Sequence, residues 1–198
     1  MSADIKIMAE PSAVPAICKF TVDRPIYPEQ AFFFGSHEAA EGSPLPARLF
    51  AIPGVVAVLV SHNTLTVTKQ TMEPWQTIAR LVGGAIREHI QSGELAVNPA
   101  LRETIPPQDE LFQRVRQVIE REVMPAVRQH GGEVAVVGVE GNSVFIRLGG
   151  GCHGCSSATV TLKQTVEMAI RRDVPQVGDI IDTTDHASGR NPYYTGKS

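Results

Sequence analysis

Two cysteines, Cys152 and Cys155, stand two residues apart in Gly149-Gly150-Gly151-Cys152-His153-Gly154-Cys155-Ser156-Ser157. Spaced this way, both sulfurs can face one soft metal centre or act as a redox dithiol. The glycines before and between them allow close backbone approach and positive φ. Directly after them, Ser156 or Ser157 is placed to cap a helix whose apolar residues Leu162, Val166, Ala169 and Ile170 recur at helical spacing. A helix N-terminus carries partial positive charge and unpaired N–H groups. Thiols beside it are pushed toward thiolate, the form that binds metal.

The elements that must position this turn can be read outward from it. Ahead of it lie two β-rich runs, Val134–Val139 and Ser143–Leu148, joined by the tight-turn pair Gly141-Asn142. Before them, the stripe Leu111, Val115, Val118, Ile119 and Val123 predicts a helix from about Gln108. Pro125 kinks or restarts that helix, and His130-Gly131-Gly132 ends it. After the cysteines come a helix over 158–172 and a short strand over 177–181. The predicted order is α-β-β-α-β, with the cysteine pair at a strand-to-helix junction.

The first half has a different pattern. Residues 1–12 read as a loose start. From Ala16 to Tyr27, the apolar residues Ile17, Phe20, Val22 and Ile26 suggest a strand followed by a turn at Pro25 and Pro28, and Val55–Val60 and Leu65–Lys69 read as a hairpin around Ser61-His62-Asn63-Thr64. Phe32, Phe33 and Phe34 are assigned to a core. Ser43 as N-cap, with Pro44 at the first helical position, opens a short helix, and a longer one follows Pro74, with Trp75, Ile78, Ala79, Val82, Ile86 and Ile90 as its stripe. Residues 97–107 carry three prolines and break periodicity. They read as a linker with an extended reach of roughly 36 Å. The expected class is α+β with two small domains, 13–96 and 108–184, joined by the linker 97–107 and followed by a tail, 185–198.

Composition narrows the function. Eighteen basic against twenty-one acidic residues give a net charge of −3, so nothing draws the chain electrostatically to nucleic acid. No run approaches the roughly 20 apolar residues that span a bilayer, and Met1–Glu10 has no signal-peptide character. Three cysteines form no disulfide framework, and the expected compartment is the cytoplasm. Cys18, among apolar neighbours, reads as a core thiol, and His153, between two ligating cysteines, as solvent-facing. Arg114, Arg116 and Arg121 read as a solvated face. No catalytic constellation is visible, so an enzyme is not expected.

Several blocks together resemble one family. His130-Gly131-Gly132-Glu133 ahead of a strand, Gly149 to Ser156 with both cysteines, and Val160-Thr161-Leu162-Lys163 inside a helix are similar to the NifU C-terminal-domain family, the Nfu-type iron–sulfur carriers. Residues 17–90 resemble the Nfu N-terminal domain through Ser43-Pro44-Leu45, Arg48-Leu49-Phe50, Ile52-Pro53-Gly54-Val55 and Leu65-Thr66-Val67-Thr68-Lys69. Two departures stand out. Glu133 occupies a position where the family often has aspartate, and Ser12-Ala13-Val14-Pro15 replaces a common Thr-Pro-Asn-Pro signature. The resemblance implies a [4Fe–4S] cluster held by Cys152 and Cys155 and delivered to client iron–sulfur apoproteins. A cubane takes four thiolates and one chain offers two there, so the same resemblance implies a homodimer bridged by the cluster. A CxxC thiol–disulfide oxidoreductase and a zinc-bridged structural dimer are the alternatives.

Overall fold

The structure is a computed structural model that describes residues 4–129, 131–150 and 156–184. Two compact units divide the chain: Met1–Pro106 with Pro175–Asp179, and Pro107–Val174 with Ile180–Ser198.

In the first unit, β1 (Ile7–Pro11), β2 (Ile17–Val22), β3 (Tyr27–Phe34), β4 (Val55–His62) and β5 (Thr64–Lys69) form an antiparallel sheet of order β1-β2-β5-β4-β3. Strand alternation sends every second side chain to one face, and pairing lines these up in rows. One row is Phe20, Leu65, Val60 and Phe32; the next is Cys18, Val67, Val58 and Phe34. All eight are buried. Helix α1 (Pro44–Phe50) packs on β4, and α2 (Trp75–Ser92) packs on α1 and β1. Ile78, Val82 and Ile86 of α2 are buried, and Gly93 at φ 69° closes it in the left-handed conformation.

Three expectations for this half change. The start is not loose, because Ile7 to Pro11 pair with Val22 to Cys18. Ser43 precedes α1, yet its hydroxyl does not cap the helix. It accepts the Asn98 N–H at 3.0 Å instead. That bond belongs to the third change: 97–107 is no extended tether. Val97 is fully buried, the Leu45 N–H donates to the Ala96 carbonyl, and Pro99–Thr104 is a 3₁₀ helix with Asn98 as its cap. Proline-rich composition reported broken α-periodicity, and a 3₁₀ turn breaks it as well as a coil does.

The second unit runs α3 (Gln108–Val118), a π turn (Ile119–Val123), α4 (Met124–Gln129), β6 (Gly132–Glu140), β7 (Ser143–Gly150), α5 (Ser156–Asp173) and β8 (Ile180–Asp182). Its sheet has the order β6-β7-β8, antiparallel then parallel. Gly141 at φ 60° makes the β6–β7 turn, and Gly131 at φ 68° follows α4. α3 and α4 lie against β6, and α5 lies against α3 and the π turn. Leu111, Val115, Val134, Val144, Ile146, Val166 and Ile170 are buried between them. The last strand falls later than expected, at 180–182 rather than 177–181.

Candidate metal centre

Cys152, Cys155 and His153 lie outside the described residues, so the centre is defined here by what brackets it. β7 delivers the chain to Gly150, and α5 begins at Ser156, one residue past Cys155. The strand-to-helix junction is thus bounded on both sides by regular structure. The eighteen-residue helix has its first N–H groups and its positive end at Ser156. The helix is anchored by Val166, Ala169 and Ile170, which are buried, with Leu162 half-buried on the same stripe.

On the strand side, β6 holds the approach in register: Leu148 opposes Val134, Gly149 opposes Glu133 and Gly150 opposes Gly132. A Cβ added to Gly149 would meet the Glu133 side chain at 3.8 Å, an ordinary contact, and its φ is not positive. That glycine is therefore not demanded by the backbone. A Glu133 carboxylate oxygen lies 3.9 Å from the same built Cβ, so this side chain neighbours the last residues of β7.

On the β8 side the support is side-chain chemistry. Thr183 N–H and Oγ1 both donate to the Ile146 carbonyl, at 2.8 and 3.0 Å. The Leu148 N–H donates to Thr184 Oγ1 at 2.7 Å, and Asp182 Oδ1 accepts the Thr184 N–H at 2.9 Å. Reading the sequence missed these three residues. The available signal was the Asp-x-Thr pattern, in which an aspartate takes hydrogen bonds two residues on.

At the far end of α5, four charged side chains close a ring. Arg121 and Arg172 each pair with both Glu122 and Asp173. Hydrogen bonding to Arg172 holds the Asp173 carboxyl below its ordinary pKa, with the charges of Arg172 and Arg121 adding to the effect. Arg114 pairs with Glu110 one helical turn away. Arg121 is exposed, as expected of a solvated face, and from there its guanidinium also ties the π turn to α5.

Cys18, the free cysteine among the described residues, is 1 % exposed. Burial pushes its thiol pKa up, opposed by a backbone hydrogen bond at Glu10 and reinforced by the Glu10 charge. It belongs to the core of the first unit. Among the described residues no three His, Cys, Asp or Glu side chains group to hold a metal, and no helix is long and apolar enough to cross a membrane.

Residues 7–93 match the family described as scaffold protein Nfu/NifU N terminal, and residues 115–181 match the NifU-like domain. The Fe/S biogenesis protein NfuA of Xanthomonas euvesicatoria pv. vesicatoria (strain 85-10) is 49% identical over 84 residues, 42% of this chain and 42% of that protein. NfuA of Stenotrophomonas maltophilia (strain K279a) is 48% identical over a stretch of the same length and shares. The match thus spans 42% of the length of these curated relatives. The solution structure of a NifU-like protein from Saccharomyces cerevisiae aligns at a TM-score of 0.44 and 18% identity, covering 50% of this chain and 91% of that one.

Proposed function

Because the chain belongs to the NifU-like family, with an Nfu N-terminal domain ahead of its NifU-like domain, we propose that it carries an iron–sulfur cluster. The cargo is a [4Fe–4S] cube bound by Cys152 and Cys155 and delivered to apoproteins that need one. The observation that carries this reading is the junction itself. Two cysteines stand between a strand pinned to Gly150 and a long helix that starts one residue after the second thiol. The positive end of α5 favours thiolate over thiol and offsets part of the charge of an anionic, thiolate-ligated cluster.

Stoichiometry supplies the second half of the proposal. A cubane takes four thiolates, and Cys18 is buried in the other unit. Two copies of the chain, each giving Cys152 and Cys155, complete the set around a two-fold axis. Delivery is then ligand exchange. For an acceptor with four cysteines, four iron–sulfur bonds break and four form. Each incoming thiol gives up a proton, each departing thiolate takes one, and the cluster keeps its oxidation state. A cluster held between subunits leaves as the subunits separate, so release needs no rearrangement inside either unit.

The test mixes holo-protein with a [4Fe–4S]-requiring apoenzyme in the presence of a small-molecule iron chelator. Acceptor activity should rise despite the chelator, while holo-dimer becomes apo-protein. A cluster that stays bound and merely cycles between oxidised and reduced forms would contradict the carrier reading.

A further inference from the structure

β7 outruns its neighbour. β8 stops at Asp182, abreast of Ile146, while β7 continues to Gly150. A strand's N–H groups need acceptors wherever they are buried, and Leu148 is 2 % exposed. Its N–H finds one in Thr184 Oγ1, at 2.7 Å. A hydroxyl has a single proton to give. Thr184 gives it to Asp182 Oδ1, the charged acceptor, in preference to the Leu148 carbonyl at 3.3 Å. The same carboxylate oxygen takes the Thr184 N–H at 2.9 Å and so holds the threonine in place. Here a side chain replaces a strand. Among the described residues, the replaced contact is the last one on that side before Cys152, which follows Leu148 by four residues.

The geometry points to Thr184 as a positioning residue for the cluster thiolates. Resting on the carrier reading above, it assigns the Thr184 hydroxyl the task of fixing where and in what direction β7 hands the chain to Cys152. Cluster retention then depends on it more than folding does. Groups that orient metal ligands act through small displacements: a site shared by two copies tolerates thiolates misplaced by only about 0.5 Å. Without the hydroxyl, the buried Leu148 N–H has no other acceptor on that side among the described residues, and of these β6 alone still holds β7 there, through Val134. Thr183 is the internal contrast. Its hydroxyl serves the Ile146 carbonyl, two residues further from the cysteines, where the Thr183 N–H already donates.

The experiment uses the full chain, reconstituted anaerobically as wild type, Thr184→Val, Thr184→Ser and Thr183→Val. Decay of the cluster's visible absorption under excess chelator is read beside the thermal midpoint of each apo-protein. Thr184→Val should lose its cluster about 10-fold faster, the scale seen when outer-shell partners of metal ligands are removed. Thr184→Ser, which keeps the hydroxyl, should hold the cluster as wild type does. Thr183→Val should lower the midpoint while leaving the lifetime unchanged. Equal lifetimes for Thr184→Val and wild type would overturn the proposal, as would equally fast loss from Thr183→Val. If Thr184→Val does not fold, Asp182→Asn replaces it, weakening the acceptor of the Thr184 proton. A shortened lifetime is then expected, and a wild-type lifetime overturns the assignment. A wild type that takes up no cluster contradicts the carrier reading itself, before any variant is compared.

Discussion

Of the three cysteines in the sequence, Cys18 has the environment of a core thiol. Cys18 sits in a cross-strand row with Val67, Val58 and Phe34, its thiol pKa pushed up by burial. In native apo-protein, alkylation should mark Cys152 and Cys155 quickly and Cys18 only on unfolding; peptide mass spectrometry checks this, and early labelling of Cys18 would contradict it. Correspondingly, Cys152→Ser or Cys155→Ser should abolish cluster binding. Cys18→Ser should spare it while costing about 1–3 kcal/mol for a hydroxyl among apolar neighbours, measured by denaturant unfolding. A second buried titratable residue is His89, 3 % exposed, with Nδ1 lacking a hydrogen-bond partner. Burial lowers its pKa first and the Arg48 charge further, against the opposing Glu94. The sign follows: below the ordinary histidine value of about 6.5 the unfolded chain takes a proton that folded His89 refuses, so stability falls as pH drops through that point. A His89→Phe variant should show a shallower loss of thermal midpoint in mild acid. Identical slopes in the two proteins would contradict this account.

Among the elements, the helix before the sheet shows best what sequence could and could not convey. The stripe from Leu111 to Val123 and the glycines at 131 and 141 were legible, because periodicity and positive φ are local properties. Pro125 announced a break without saying its form. Proline lacks an N–H, and its ring collides with the carbonyl four residues back. The chain answers by widening one turn ahead of it, so that the Met124 N–H donates to the Ile119 carbonyl, five residues back. That extra residue in the turn belongs to the segment bearing Arg121 and Glu122, which join the ring with Arg172 and Asp173 at the end of α5. The Thr184 contact was illegible for a related reason: it joins residues 36 positions apart. The ring predicts a pH effect. The Asp173 pKa is lowered in the folded state, so its contribution is present above the ordinary aspartate value and disappears as pH falls through the lowered one. Asp173→Asn should remove that acid-side dependence from unfolding curves. Ile170, fully buried one turn earlier on α5, belongs to the core. Ile170→Ala should cost about 2–5 kcal/mol in denaturant unfolding.

For the whole molecule, the α+β class and the order of elements in the second unit followed from patterning, since each strand and helix there carries its own period and turn residues. The first unit was less transparent. Its edge strand β1 has a single half-buried residue in an otherwise exposed run, which leaves no alternation to read. Composition likewise disguised the 3₁₀ segment as a linker. The proposed function turns on a count of thiolates: on that reading one chain supplies two at the junction, and a cubane takes four. Binding that favours the dimer must tighten dimerisation when cluster is present. The most direct measurement is therefore anaerobic reconstitution with iron and sulfide, with Mössbauer spectroscopy and size-exclusion chromatography run on the same sample. The account predicts a [4Fe–4S] spectrum, one cluster per two chains, and a dimer that reverts toward monomer when the cluster is removed. A holo-protein that stays monomeric with a full cluster on each chain would contradict it.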